Sequence, residues 1–365
     1  MKAYLPLDLN KSTTTRKTVK MDIKGRKISK ILVFQLNWLG DILFSFPFLR
    51  ALALTYPGAE ITCAVVPRYS ALLSNNPWVS SIIELSDKRG FASLIGEMDF
   101  ILKSRKERYD VCFFLKPSRT KAIMAVFAGI RERVGFSGKR SFLTSSVELP
   151  SGEIHRSDQI SSLLGAMGAT VTDGTYEYFF TAHEQNKAKE ILKASGSTKS
   201  IRVALNPGGN WAPKRWPKER FIELAKKILD KFEDIEIVIT GAMKDVSLGK
   251  EIVSAVNSRR CYSVAGKTGI KEIAAIFKSC ALVISADSGP LHLASAAGTR
   301  TIGLFGPTSP NLTGPRGRGL NVVVQKKLDC VVPCYVEKCE KGYECMHFIT
   351  AEEVFDIFND VMSRV

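Results

Sequence analysis

The feature that most constrains the fold of this chain is the alternation of short apolar runs with longer amphipathic segments. The segment from Lys30 to Leu36 is apolar at nearly every position, which is typical of a strand buried on both faces. Asp41 opens a helical stretch that extends to about Leu54, and the next strand is predicted over Ile61 to Val66. Strands that alternate with helices in this way indicate βαβ units and a parallel sheet.

The same alternation starts again at Ile201, after a weakly patterned stretch from His183 to Ser200. A chain of 365 residues is longer than one hydrophobic core usually organises. We therefore predict an α/β protein of two Rossmann-like parallel-sheet domains that face each other across a cleft, with the first at residues 29–185 and the second at residues 198–348. In such sheets, ligands bind at the carboxyl ends of the strands.

The two ends of the chain differ from these domains. Residues 1–28 are polar, basic and unpatterned, so we expect a disordered tail that is not a secretory signal. At the other end, Thr350 and Glu353 form a capping box that predicts an amphipathic C-terminal helix over residues 350–365.

The chain is strongly basic, with 52 lysine and arginine residues against 36 aspartate and glutamate residues and a formal net charge of +16. The excess lies in the tail and in a stretch from Lys103 to Arg140. It favours an anionic partner, whether nucleic acid, an anionic membrane surface or a phosphorylated substrate, although a solvated basic surface has the same composition. No aromatic residues are interleaved with the basic tail, so nucleic acid is not expected. No apolar run reaches the roughly 18 residues of a spanning helix, which excludes a polytopic membrane protein.

Four of the eight cysteines are concentrated in one short segment, at positions Cys330, Cys334, Cys339 and Cys345. Their spacing differs from the paired C-x2-C of structural zinc sites. Free thiols, a local disulfide and a metal site all remain open for this segment.

Familiar phosphate-binding motifs are missing. The sequence contains neither G-x-G-x-x-G nor a D-x-D pair, so a phosphate-handling enzyme built from it needs helix N-termini and cations. The segment Ser285–His292 joins a buried strand to a helix, where Gly289 allows close backbone approach and the first N–H groups form an anion site. Ser288 can donate a further hydrogen bond and His292 can face the same site, whereas Asp287 suits a sugar hydroxyl. The alternative is that Asp287 or Ser288 only caps the helix and His292 packs.

A second loop of this kind, Asn206–Pro217, follows the first strand of the second domain. Lys214 in this loop is well placed to neutralise a departing diphosphate, although it also fits an ordinary exposed lysine. Trp211 is a candidate for stacking on a base, and Trp216 is expected to staple the following helix.

In the first domain, Asp41 is the carboxylate at the mouth of the leading strand. Its reference pKa of about 3.9 leaves it ionised at neutral pH, so it is a candidate general base for an acceptor hydroxyl. The alternative is that Asp41 is the N-cap of its own helix.

Taken in order, these motifs resemble those of the lipopolysaccharide heptosyltransferases, glycosyltransferase family 9. The segments that carry the resemblance are Asn37-Trp-Leu-Gly-Asp41, Asn206-Pro-Gly-Gly, Lys214-Arg-Trp-Pro217, Ser285–His292 and Gly306-Pro-Thr308. The resemblance extends from Ile31 to the C-terminal helix, and the cysteine-rich segment is similar to that of the second heptosyltransferase of the pathway. It implies a GT-B fold and a metal-independent, inverting enzyme that uses ADP-heptose.

The resemblance also implies site residues. The catalytic residues that it implies are Asp41 and Lys214. The donor-binding residues that it implies are Gly209, Asn210, Lys214, Asp245, Asp287, Ser288, Gly289 and His292. The chain departs from the family pattern in two places. The basic tail is extra. Gly209-Asn210 stands where the enzymes that add the first heptose have a pair of hydroxyl residues, so the acceptor, and with it which heptose is added, stays open.

We therefore expect a glycosyltransferase that moves heptose from ADP-heptose to the lipid A–core acceptor, with no cofactor and no metal. We expect it in the cytoplasm, peripheral to the anionic inner face of the inner membrane. Two alternatives remain: another GT-B transferase or epimerase with a uridine donor, and a non-catalytic basic protein that binds nucleic acid.

Overall fold

The computed structural model describes residues 27–86, 91–138, 142–171, 173–336 and 338–364. The predicted basic tail therefore lies almost entirely outside the described residues. The chain forms two compact units, which divide between Phe179 and Phe180.

The first unit is a parallel six-stranded sheet with helices, in the strand order β3-β2-β1-β4-β5-β6. Its strands are β1 (Lys30–Phe34), β2 (Glu60–Val65), β3 (Ser81–Glu84), β4 (Val111–Phe114), β5 (Glu132–Phe136) and β6 (Ser145–Val147). Its α-helices are α1 (Leu39–Phe44), α2 (Phe46–Thr55), α3 (Phe91–Glu107), α4 (Arg119–Phe127) and α5 (Arg156–Ser161). Short 3-10 turns cover Pro67–Leu72 and Ser162–Met167. The parallel sheet that the sequence predicted is confirmed.

The first predicted helix differs from the observed one. It begins at Leu39, before Asp41, and it breaks at Ser45 instead of continuing to Leu54. Proline has no N–H and its ring crowds the preceding turn, so Pro47 starts a new helix rather than extending the old one. The Ser45 hydroxyl lies 2.7 Å from the Ile42 carbonyl and 2.9 Å from the Gln35 side-chain oxygen, which ties the break to the end of β1.

The second unit repeats the architecture, with the strand order β12-β11-β10-β7-β8-β9 and parallel pairing throughout. Its strands are β7 (Ile201–Asn206), β8 (Ile235–Ile239), β9 (Cys261–Ser263), β10 (Leu282–Ala286), β11 (Arg300–Phe305) and β12 (Asn321–Gln325). Its α-helices are α6 (Ala182–Ala194), α7 (Lys218–Lys231), α8 (Val246–Val256), α9 (Ile270–Lys278), α10 (Gly289–Ala296), α11 (Pro310–Thr313), α12 (Glu344–His347) and α13 (Ala351–Met362). Short 3-10 turns cover Ala212–Lys214 and Met243–Asp245.

Helix α6 begins inside the range that the sequence assigned to the first domain, yet it packs on α9 of the second unit. Thr181 caps it with a reciprocal Glu184 capping box. An ion pair of 3.2 Å joins Lys271 of α9 to Glu184.

The C-terminal helix packs on α7, the helix that follows the Lys214 loop. The Thr350 hydroxyl accepts a hydrogen bond from the Glu353 N–H at 3.2 Å, as the capping signature predicts. Trp216 precedes the N-cap of α7 and packs edge-on against Phe221, with 4.8 Å between ring centroids, so the predicted staple is confirmed. The Trp216 indole N–H also donates to the Ile349 carbonyl at 2.8 Å, which joins α13 to the same loop.

All eight cysteines are free thiols, and the four of the C-terminal segment are partly or fully exposed. Within the described ranges, no three His, Cys, Asp or Glu side chains converge as metal ligands would. None of the described helices is long and apolar enough to cross a membrane.

Candidate active site

Asp287 is the centre of a buried polar cluster at the carboxyl end of β10. Its side chain is 4% exposed. One carboxylate oxygen accepts from Lys214 Nζ at 2.6 Å and from the Thr308 hydroxyl at 2.7 Å, and the other lies 3.2 Å from His292 Nε2. Three loops, which follow β7, β10 and β11, therefore meet at one carboxylate.

The surroundings of Asp287 keep it ionised. Burial alone disfavours the charged form, but the His292 hydrogen bond and the Lys214 ammonium outweigh burial and hold the pKa of Asp287 well below its usual range. A fixed negative charge holds the Lys214 ammonium in place. That ammonium has three donors, so it can bind a phosphate oxygen while it keeps Asp287.

The alternative for the Ser285–His292 segment, in which Asp287 or Ser288 only caps the helix and His292 only packs, does not describe what is observed. Ser288 is the N-cap of α10, but its side chain makes no capping hydrogen bond and lies 3.0 Å from the Ser285 hydroxyl. His292 is buried and contacts Asp287 rather than only packing. The N-terminus of α10, at Gly289, lies at the carboxyl end of β10, which is the same edge of the sheet as Lys214.

The Asn206–Pro217 loop is held by hydrogen bonds from several strands. Asn206 is buried and its side chain contacts the Ser285 hydroxyl at 3.3 Å and the Thr240 hydroxyl at 3.1 Å. The Asp245 carboxylate packs against Gly208, where an added Cβ would lie 2.5 Å from Asp245 Oδ2. A side chain at that position would therefore displace the Asp245 carboxylate, which accepts the Ala242 N–H at 2.9 Å.

Two further cations contact this loop, Arg215 from within it and Lys244 from the turn after β8. Arg215 donates to the Gly209 carbonyl at 2.7 Å, and Lys244 contacts the Asn210 side-chain oxygen at 2.6 Å and the same carbonyl at 3.2 Å. Lys214 lies 5.7 Å from the centre of the Trp211 ring, which in turn stacks on Tyr335. The loop thus presents a cationic, aromatic-lined surface beside the α10 N-terminus.

The comparison with known families decides what kind of site this is. The model of glycosyltransferase family 9 (heptosyltransferase) matches residues 100–343. The chain belongs to this family. It is therefore a glycosyltransferase, and the interpretation as a non-catalytic nucleic-acid-binding protein does not hold.

Individual relatives agree with the family match. The lipopolysaccharide heptosyltransferase 2 of Escherichia coli is 30% identical over 308 residues, which cover 80% of this chain and 87% of the relative. The lipooligosaccharide heptosyltransferase 2 of Haemophilus influenzae is 27% identical over 348 residues, which cover 92% of this chain and 99% of the relative. The comparisons give no support to the uridine-donor alternative.

Solved structures show the same architecture as this family 9 chain. The structure of the E. coli ADP-heptose LPS heptosyltransferase II matches with a TM-score of 0.77 and 25% identity, over 92% of this chain and 99% of that one. A glycosyltransferase of family 9 from Veillonella parvula matches with a TM-score of 0.82 and 22% identity, over 93% and 99% of the two chains. The fold is GT-B, as the resemblance implied.

In the first unit of this family 9 chain, Asp41 lies in the first turn of α1, just after β1. The N-cap of α1 is Trp38, which has no side-chain capping bond, so the N-cap alternative for Asp41 is wrong. Lys121 lies at the same edge and donates to the Gln35 carbonyl at 3.2 Å. Burial, with a smaller effect of Lys116, lowers the pKa of Lys121 to about 8.

The structure thus brings together Lys214, Asp287 and His292, and it groups Gly209, Asn210 and Asp245 on adjoining loops. Asp41 lies in the other unit. Sequence reasoning quoted the segments that contain Thr308 and Arg215 without giving either residue a role, and it missed Lys244. Lys244 could have been found, because it follows β8 and the loops after neighbouring parallel strands lie at one edge of a sheet.

Proposed function

We propose that this family 9 enzyme transfers heptose from ADP-heptose to the lipid A–inner core acceptor of lipopolysaccharide, with inversion at the anomeric carbon. The observation that carries the proposal is the Lys214–Asp287 pair at the carboxyl edge of the second sheet, in a chain whose relatives are named heptosyltransferases. The edge offers the cations and the helix N-terminus that a nucleoside diphosphate needs.

The donor occupies the second unit. Its diphosphate contacts Lys214 and the α10 N-terminus at Ser288 and Gly289, with Arg215 and Lys244 adding positive charge. As the bond between the sugar and ADP breaks, negative charge grows on the departing phosphate, and Lys214 stabilises that charge in place of a metal ion. The reaction is therefore proposed to be metal-independent.

The acceptor binds at the carboxyl edge of the first unit. There Asp41 accepts the proton of the acceptor hydroxyl while that oxygen bonds to the anomeric carbon. Lys116, Arg119 and Lys121 at the start of α4 supply positive charge for an anionic acceptor.

We also propose that the enzyme acts in the cytoplasm, on the inner face of the inner membrane, as a peripheral protein with no nucleic-acid partner. Support comes from the formal charge of +16, because each well-placed cation contributes about 1 kcal/mol to binding at an anionic leaflet.

Titration calorimetry with ADP and with UDP, each with and without magnesium, tests the donor. We expect ADP to bind more tightly than UDP and magnesium to leave its affinity unchanged. Tighter binding of UDP would move the enzyme to another sugar-nucleotide chemistry on the same fold. A requirement for magnesium would contradict the role given to the cations.

A further inference from the structure

Helix α3 of the first unit presents an apolar stripe to solvent. Leu94, Ile95, Met98 and Leu102 are each between 56% and 58% exposed. Their spacing places them on one face of the helix, while Phe100 on the other face is buried against the sheet. Single exposed apolar residues are ordinary, but a continuous stripe of them marks a surface that binds something.

The neighbouring helix also exposes apolar side chains. Helix α4 packs beside α3, and its last residues, Val126 and Phe127, are 42% and 64% exposed. We call these six side chains the α3–α4 apolar surface: Leu94, Ile95, Met98, Leu102, Val126 and Phe127.

Cations border this surface at the C-terminal end of α3. Arg105 and Lys106 lie three and four residues beyond Leu102, so they extend the same helix face. Arg108 and Arg131 line a cavity of about 400 Å³ just beyond, together with Lys27. Among the residues that the structure describes, none of these five cations forms an ion pair.

Carboxylates of this region already have partners. Asp99 pairs with Lys103 at 2.7 Å, and Glu107 pairs with Lys30 at 2.7 Å. In the cavity wall, Asp110 accepts the backbone N–H groups of Ser29 and Lys30 at 2.7 and 2.9 Å, and Glu132 accepts the Thr144 hydroxyl at 3.0 Å. The surface therefore combines an apolar strip with a positive border.

We propose that the α3–α4 apolar surface docks this enzyme on an anionic phospholipid bilayer. The apolar side chains enter the boundary between headgroups and acyl chains, and the bordering cations contact lipid phosphates, one of which the cationic cavity can hold. This charge pattern fits a bilayer better than a second protein, whose surface would need an apolar strip with a matching acidic border.

The direction of α3 links this surface to the reaction. The helix begins after β3 and ends before β4, so its first half lies towards the carboxyl edge of the sheet, and Gly96 packs closely on Ser86 there. Asp41 lies at that same edge, after β1. The proposal rests on the proposed function in this respect: a lipid-linked acceptor could keep its lipid in the bilayer while its sugar reaches Asp41.

Flotation of the full chain with phosphatidylcholine vesicles, with and without phosphatidylglycerol, tests the proposal without donor or acceptor. We expect binding to the phosphatidylglycerol vesicles to weaken roughly tenfold or more in Met98→Gln/Leu102→Gln, because apolar insertion is lost. The matched control is Leu54→Gln/Leu149→Gln, which changes two equally exposed leucines of the same unit and should bind like the wild type. Equal binding by all three proteins would overturn the proposal.

The cationic border has its own test. Arg105→Gln/Lys106→Gln should weaken binding by about fivefold for each charge removed, and only on vesicles that contain phosphatidylglycerol. Lys189→Gln/Lys250→Gln removes two exposed lysines of the other unit and should have little effect. If both pairs lower binding equally, net charge rather than this surface would explain it.

Two measurements separate this proposal from its rivals. If light scattering shows that Met98→Gln/Leu102→Gln converts a wild-type dimer to a monomer while vesicle binding is unchanged, the surface is a protein interface and the proposal fails. Heptose transfer to a lipid-free acceptor should be unchanged in that variant. A wild-type chain that binds vesicles but transfers no heptose would contradict the proposed function and leave the docking surface standing.

Discussion

At the residue scale, the charge of Asp287 organises the second unit's site. A buried carboxylate with no partner would take up a proton, but Asp287 has a lysine, a histidine and a hydroxyl group within hydrogen-bond distance. Its charge positions Lys214, and Lys214 is the group proposed to meet the phosphates. We therefore propose that Asp287 positions Lys214. The sequence had suggested a sugar hydroxyl as the partner of Asp287.

Lys214→Ala should lower kcat by roughly 10² or more, because the charge that develops on departing ADP loses its nearest cation. The adjacent exposed Lys218, which pairs with Glu251 on the surface, provides the control, and Lys218→Ala should leave kcat unchanged. Steady-state kinetics distinguishes the roles, since a rise in KM at constant kcat would restrict Lys214 to ground-state binding.

Asp41→Asn should reduce kcat by about 10²-fold or more and leave ADP affinity unchanged, because the amide cannot accept the acceptor proton. Single-turnover transfer and ADP calorimetry on the same preparation measure the two quantities. Wild-type turnover in this variant would show that another group is the base.

We expect Lys121 to make the stability of the first unit depend on pH. Its pKa is about 8 in the folded chain and 10.5 when unperturbed, so the unfolded state binds more protons between these values. Stability therefore rises with pH across that window, where the buried charge is lost from the folded state. Urea unfolding from pH 7 to 10 should show this rise in the wild type and a flatter profile in Lys121→Met. Parallel profiles would mean that Lys121 does not titrate there.

At the scale of elements, Trp216 holds α13 to the Asn206–Pro217 loop. Trp216→Phe removes the hydrogen bond to the Ile349 carbonyl and leaves part of a buried site empty. We expect the free energy of unfolding to fall by about 1–3 kcal/mol. Trp211→Phe, at a half-buried position, should change it by less than about 1 kcal/mol. If urea denaturation gave the same loss of unfolding free energy for both variants, the hydrogen bond from Trp216 to Ile349 would add no measurable stability.

Strands with a clear hydrophobic pattern could be predicted from the sequence. Short strands and contacts that depend on which strands are adjacent could not. Strands β1 and β10 are apolar on both faces, so the sequence alone indicates them. Strands β6 and β9 span only three residues each, too few to show a period, and the sequence gives no comparable signal for them. The same holds at the site: the loops of Lys214, Asp287 and Thr308 all carry motifs, but the contact of Thr308 with Asp287 depends on the adjacency of β10 and β11.

At the scale of the whole molecule, the two sheets share one strand order. In each, the first and fourth strands of the unit lie side by side, which are β1 and β4 in one and β7 and β10 in the other. Connections leave these strands in opposite directions, and such a switch point is where α/β sheets bind ligands. Asp41 and Lys121 occupy that position in the first unit, and Lys214 and Asp287 occupy it in the second.

Hydrogen exchange measured with and without ADP should reflect this division. We expect the largest protection at the Asn206–Pro217 loop and at the start of α10, because ADP is proposed to contact backbone N–H groups there. If protection were largest in the first unit, ADP would bind there and the proposed placement on the second unit would be wrong. The Lys214→Ala protein, at the same ADP concentration, should lose most of the effect.

The matching strand orders have a consequence for how such enzymes diversify. Each unit has its own sheet, its own core and its own switch point. If the acceptor and the donor bind to separate units, as we propose, mutations that alter acceptor choice and mutations that alter donor choice fall on different stretches of chain. Selection can therefore modify one substrate preference while the other is inherited intact. On that proposal, a chimera with its junction between Phe179 and Phe180 should exchange the acceptor and retain the sugar donor.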